Sequence, residues 1–260
     1  LRGRRPEVHA NAECQGESEQ RNASHNPLLV ILREQPGAPD PLPGGSRKDK
    51  RGQKACQRLD RAGEGGQSCR MPDVLGYRAK FGVLVPSTNT VVEPDFYAMA
   101  PPGVTLHTGR ISITNPRMED DAGMEALMVQ IRASIGQAVR DVMTCEPDYL
   151  VMGMSSETFW GGRKGTEEFE RNIERLSGLS IATGARACER ALTVLGARRL
   201  GIVTPYQPVG DAQVRRFLEE CGYEVVALKG LRCPTAVSIA HEDEATLRRA
   251  ILEVNRPEVE

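Results

Sequence analysis

The pattern of apolar runs and amphipathic stretches from residue 71 onward predicts an α/β fold: two Rossmann-like lobes with parallel sheets, the second lobe incomplete. Three observations carry this expectation. Residues 81–85, 149–154 and 199–203 are short apolar runs, each closed by Pro, Ser or Thr, as buried strands are. Between them lie longer stretches with apolar residues at helical spacing. The two kinds alternate along the chain, and the chain stops after a helix, where a βα repeat calls for another strand.

Taken in order, residues 81–85 form the first strand and Pro86 stops it. Ser87, Thr88, Asn89 and Thr90 follow, residue types that start helices. Small hydroxyls and free N–H groups at a helix start make a cradle for a carboxylate or phosphate. The loop has no glycine fingerprint, so a dinucleotide is not expected there. After the Pro101-Pro102-Gly103 turn, residues 104–113 form a second strand carrying His107 and Arg110. His107 could serve as an acid/base and Arg110 as a carboxylate partner; the polar face of a strand is the plainer place for His107.

Residues 118–144 form a long helix with Met124, Leu127, Met128, Ile131, Ile135, Val139 and Val142 on one face. The central strand at 149–154 runs into Ser155, Ser156, Glu157 and Thr158, then Trp160 and Gly161-Gly162. Polar groups at the carboxyl end of a parallel strand stand where open α/β sheets bind ligands. Helices follow at 166–176 and 180–195, the latter ended by Gly196. A strand at 199–203 closes on Thr204-Pro205-Tyr206, and Asp211 caps a helix that runs to Cys221. Residues 223–228 are a strand, 230–238 a loop, and 242–254 the last helix.

The expected organisation is a disordered, non-native extension at 1–70, a first lobe at 71–184 and a second, truncated lobe at 185–260. Residues 1–70 contain no Phe, Tyr or Trp, and 13 Lys+Arg against 9 Asp+Glu. Such a stretch buries too little apolar surface to offset the entropy of ordering. Its single apolar run, residues 28–32, is too short for a membrane span or signal sequence. Asn22-Ala23-Ser24 fits a glycosylation pattern without other signs of secretion, and Met71 is the expected start of the native protein. Neither nucleic acid nor membrane is an expected partner. The seven cysteines are odd in number and include no CxxC, so no metal site is expected, and a reducing cytoplasm is.

Three strand-end loops, at 86–90, 155–158 and 204–206, carry matching hydroxyl and amide chemistry. Together with Pro101-Pro102-Gly103-Val104-Thr105 and Met152-Gly153-Met154-Ser155-Ser156-Glu157-Thr158-Phe159-Trp160-Gly161-Gly162, they resemble the aspartate/glutamate racemase superfamily. The branch is that of maleate cis-trans isomerase and arylmalonate decarboxylase, and the resemblance covers about residues 76–260. It implies two similar lobes with the site between them and no cofactor. It assigns Asn89, Ser155, Ser156 and Tyr206 to a substrate carboxylate, with Ser87, Thr90 and Thr204 in the same loops. Preorganised donors of this kind stabilise an enolate or enediolate.

One departure matters. These enzymes place a cysteine after the central strand and another after a later strand, the decarboxylase keeping the second alone. Here Gly153-Met154-Ser155 fills the first position, and the second would fall beyond Glu260. Cys145 and Cys221 sit at helix C-termini, where the dipole disfavours a thiolate, and Cys188 is inside a helix. Cys233, in a loop after a strand, is the remaining thiol candidate, and Glu157 the other acid/base. The expected catalytic set is therefore Ser155, Tyr206 and Cys233. The expected function is an isomerase- or decarboxylase-like enzyme for a small dicarboxylate or malonate-type acid, with a homo-oligomer left open. A carboxylate-binding module without catalysis is the alternative, and a fold-only relative binding something else in the cleft is the third reading.

Overall fold

The computed structural model describes residues 73–260 and a short strand, β1, at Leu29–Ile31. The order continues with β2 (Ala79–Pro86), α1 (Val92–Met99), β3 (Val104–Ile111), α2 (Asp121–Met143) and β4 (Tyr149–Met152). A single turn, α3 (Ser156–Phe159), leads into α4 (Gly162–Ser177), β5 (Ile181–Ala182) and α5 (Gly184–Leu195). The second lobe holds β6 (Arg199–Thr204), α6 (Pro208–Glu220), β7 (Glu224–Gly230), a 3-10 turn at Ser238–His241 and α7 (Glu244–Val254).

The first sheet is parallel throughout, in the order β3-β2-β4-β5. In the second sheet β6 and β7 are parallel, and β1 lies antiparallel along the other side of β6. The fold is thus the α/β arrangement with parallel sheets that the alternation predicts. β1 is a difference. Leu29–Ile31 falls in the segment expected to stand outside the fold, yet it pairs with β6, Leu29 opposite Val203. An unpaired strand edge is a template for any extended segment, and this run is the apolar one in that stretch. Asn22, Met71, Cys14, Cys56 and Cys69 lie outside the described residues.

The physical causes of the elements are local. Val83, Leu84 and Val85 of β2 are buried, as are Leu200, Ile202 and Val203 of β6, which explains their continuous apolar runs. On α2 the buried face is Met124, Leu127, Met128, Ile131, Ala138, Val139 and Val142. Asp120 caps α2 through the Gly123 N–H at 2.8 Å, and Asp243 caps α7 through the Thr246 N–H at 2.7 Å. Gly178 and Gly196 end α4 and α5 in the left-handed conformation.

Two further expectations differ from what is found. The predicted helix at 180–195 is divided: Ile181 and Ala182 first pair with Leu150 and Val151 as a sheet edge, and Thr183 then caps α5. A two-residue strand carries no periodicity of its own. Asp211 does not cap α6; Gln207 stands at that position, Pro208 begins the helix, and Asp211 lies buried inside the first turn.

The two lobes share one core. A continuous buried cluster runs from Leu84 and Ile111 through α2 to Leu200, Ile202 and Phe217. Phe159 and Phe217 meet edge to face across the boundary, ring centroids 5.2 Å apart. Because the core is continuous, denaturation followed by Trp160 fluorescence and by far-UV circular dichroism should give one coincident transition. Phe217→Ala should cost about 3–5 kcal/mol in urea unfolding. Separate transitions for the two probes would contradict a shared core.

Candidate active site

A cavity opens between the lobes at the carboxyl ends of β2, β4 and β6, with about 590 Å³ of unfilled space including its mouth. Its polar side is built by Thr88, Asn89, Ser155, Ser156 and Tyr206. Its apolar side is built by Ile113, Met118, Met124, Leu127 and Ile131, with Ala236 and Ile239 from the loop after β7. Among the described residues no acidic or basic side chain lines it.

Each polar group is set by its loop. After Pro86 the chain turns, the Asn89 N–H donating to the Pro86 carbonyl at 3.2 Å. The Asn89 side-chain oxygen Oδ1 accepts from the Val91 N–H at 3.0 Å, which leaves the side-chain NH2 as the donor end. Ser87 anchors the loop to the end of β3, accepting from the Ile113 N–H at 2.9 Å. After β4, Gly153 passes so close to β2 that a Cβ would lie 2.9 Å from Val85 and 3.0 Å from the Leu84 carbonyl oxygen. The Ser155 carbonyl then accepts from the Thr158 hydroxyl at 2.7 Å, which tightens the turn.

Ser155 and Tyr206 meet across the lobe boundary, hydroxyl oxygens 2.6 Å apart. Burial pushes the Tyr206 phenol well above its usual range, a rise the Ser155 bond partly offsets. Behind Tyr206 stands a polar brace. Arg232 donates to the Tyr206 carbonyl and to the Asp211 carboxylate, the latter at 2.6 Å. Thr204 donates its hydroxyl proton to Asp211 and accepts from the Tyr206 N–H at 3.2 Å. Burial raises the Asp211 carboxyl, against the lowering effect of Thr204 and Arg232. Gln207 reaches back to the Met118 carbonyl and ties the second-lobe loop to the start of α2.

Of the residues singled out in the sequence, the structure brings Asn89, Ser155, Ser156 and Tyr206 to one cavity. Ser87, Thr90, Thr204 and Cys233 do not line it. Thr90 is exposed, and Thr204 is buried behind Tyr206. The Cys233 thiol is buried and donates towards Glu242 at 3.3 Å; burial, then Glu242, pushes it up to about 12. Burial likewise raises Cys188 and Cys221 to about 11. Glu157 is held by both its oxygens on Arg132 Nε, at 2.9 and 3.1 Å, and Arg132 stacks 5.5 Å from the Trp160 ring. His107 bonds Thr105, and Arg110 pairs with Glu93, both away from the cavity. Thr88 lines the cavity as well, and nothing in the sequence sets it apart from Ser87 and Thr90. The Met118 and Met124 wall carried a signal only for core.

The family model described as arylmalonate decarboxylase matches residues 81–258. A maleate isomerase of Pseudomonas putida is 27% identical over 175 residues, covering 65% of this chain and 69% of that protein. Among solved structures, a Nocardia farcinica maleate cis-trans isomerase variant holding a covalently bound succinylcysteine intermediate superposes with a TM-score of 0.57. It is 20% identical and covers 69% of this chain and 74% of its own. An arylmalonate decarboxylase superposes with a TM-score of 0.50 at 18% identity, covering 67% of this chain and 71% of its own.

A thiol raised to about 12 stays protonated at pH 8, and the thiolate is the nucleophile. Maleimide labelling of the native protein at pH 8, read by peptide mapping, should therefore leave Cys233 unmodified until denaturant is added. Prompt labelling of Cys233 in the native state would show an open thiol.

Proposed function

The chain belongs to the arylmalonate decarboxylase family, and on that premise we propose that it acts on a small malonate-type or dicarboxylic acid without a cofactor. Chemistry would take place at the carbon beside a carboxylate. The observation that carries this reading is the meeting of Ser155 and Tyr206 in a cavity that they line with Thr88, Asn89, Ser156 and otherwise apolar side chains.

In a pair of hydroxyls, one proton is spent on the other oxygen and one remains for an outside acceptor. That remaining donor is polarised by the bond behind it. With the Asn89 amide and Ser156 it offers neutral donors to a carboxylate. When a bond at the adjacent carbon breaks, its electron pair moves onto the carboxylate oxygens as an enediolate. Donors already in place stabilise that charge without reorganising. Neither hydroxyl is a base near neutrality: Tyr206 is raised and Ser155 has no basic partner among the described residues. Their role is electrophilic. The proton taken up by the carbon comes from water or from a residue outside this constellation.

The apolar lining favours decarboxylation over isomerisation. A carboxylate pressed against Met118, Met124, Leu127 and Ile131 loses its hydration and gains no cation, whereas neutral CO2 pays no such penalty. The C–C bond breaks, CO2 leaves, the enediolate is held by the donors, and a solvent proton ends the reaction at carbon. The second reading, a carboxylate-binding module, is favoured by one observation: none of the four described cysteines lines the cavity. Free thiols among the described residues support a reducing, cytoplasmic setting, and a homo-oligomer stays compatible with this reading. No helix among the described residues is long and apolar enough to cross a membrane.

Incubation with phenylmalonate and methylmalonate, followed by proton NMR in D2O, should show loss of CO2 with deuterium at the α-carbon, while maleate should be left unchanged. Tyr206→Phe and Ser155→Ala should each lower the rate about 10²–10³-fold. A thermal shift with acid but no turnover would favour the binding module. Neither shift nor turnover at millimolar acid would overturn both readings.

A further inference from the structure

Thr88 has a hydroxyl that the fold does not use. The residue is 8% exposed, and its Oγ1 is the one buried side-chain oxygen or nitrogen among the described residues without a hydrogen-bond partner. Its neighbours are differently placed. The Ser87 hydroxyl is engaged by Ile113, and the Asn89 side-chain Oδ1 by the Val91 N–H. Thr88 lines the same cavity as Ser155 and Tyr206.

A buried hydroxyl left unpaired loses its hydration and gains nothing in exchange. Valine has the same shape and would fill the position without that loss. The β-branch holds χ1 in few rotamers, so the oxygen is fixed in advance of any ligand. The other polar groups that line the cavity can each donate: the Asn89 amide, the Ser156 hydroxyl and the one proton left to the Ser155–Tyr206 pair; among the described residues no acidic side chain lines the space. A partner for Thr88 that also suits these groups is rich in acceptor oxygens.

We propose that Thr88 is a specificity-determining contact, its hydroxyl donating to a carboxylate oxygen of the substrate. The ligand then bridges the loop after β2 to the loops after β4 and β6, and so joins the two lobes. This rests on the carboxylate reading of the cavity. The contact distinguishes acids from neutral analogues of equal shape, because an ester or amide has fewer acceptor oxygens for the same donors.

The test compares full-length wild type, Thr88→Val and Thr88→Ser by thermal melting and by titration calorimetry with methylmalonate and its uncharged diamide. Free Thr88→Val should melt at or above wild type, since an orphaned hydroxyl is removed. Its affinity for methylmalonate should fall about tenfold, with Thr88→Ser within about twofold of wild type and the diamide binding equally weakly to all three. If wild type binds methylmalonate and Thr88→Val binds it as well, the hydroxyl serves a buried water and the proposal is overturned. A lower melting temperature for free Thr88→Val would also overturn it, by showing a structural partner. If wild type binds neither phenylmalonate, methylmalonate nor maleate, the carboxylate reading itself falls and takes this proposal with it.

Discussion

The Ser155 and Tyr206 hydroxyls belong to turns 51 residues apart, yet their oxygens lie 2.6 Å from one another. That contact makes one site of two lobes. On one side it depends on β4, whose turn brings Ser155 out of the sheet with Gly153 hard against β2. On the other it depends on β6, which ends at Thr204 and presents Tyr206 at the head of α6. A shift of either lobe by an ångström would take the pair beyond hydrogen-bond reach. The continuous core beneath it, with Phe159 against Phe217, resists such a shift.

The donors need rigidity, and the second lobe supplies it with charge. Asp211, Arg232 and Thr204 fix the Tyr206 backbone from behind, not its hydroxyl. Arg232 adopts a left-handed φ of 59° to do so, a conformation that costs energy outside glycine. Taking a carboxylate out of water costs several kcal/mol, so a paired and fully bonded Asp211 is tolerated where a lone one would not be. The first lobe does the same job with neutral bonds: Ser87 to Ile113, Thr158 to Ser155, and Thr166 to the Thr158 carbonyl. Glu157 and Arg132 close the outer side of that turn.

Much of this was legible because it is local. The runs at 81–85 and 199–203 became β2 and β6, and the stripe from Met124 to Val142 became the buried face of α2. The three hydroxyl-bearing loops were readable as strand ends. What was not legible turned on contacts between distant residues. Asp211 reads as a cap, since Asp near a helix start usually is one; only the approach of Arg232 and Thr204 gives it another partner. Cys233 lies on the strand-end side as expected, but whether it faces the cavity or Glu242 is a matter of rotation that spacing does not encode. Thr88 differs from Ser87 and Thr90 only in which way its loop turns. β1 was hidden because three apolar residues carry no strand signal until an edge is there to receive them.

The amino-acid order by itself determined the alternation of strands and helices, the parallel sheets and the polar loops at their carboxyl ends. Periodicity and turn chemistry act over a few residues and need no partner. Tertiary structure alone decided which hydroxyls converge, that Asn89, Ser155, Ser156 and Tyr206 share a cavity with Thr88 while Ser87, Thr204 and Cys233 are turned to other partners. The reason is physical: a buried polar group goes to the nearest group that satisfies it, and which group is nearest is set by packing between lobes, not by neighbours in the chain.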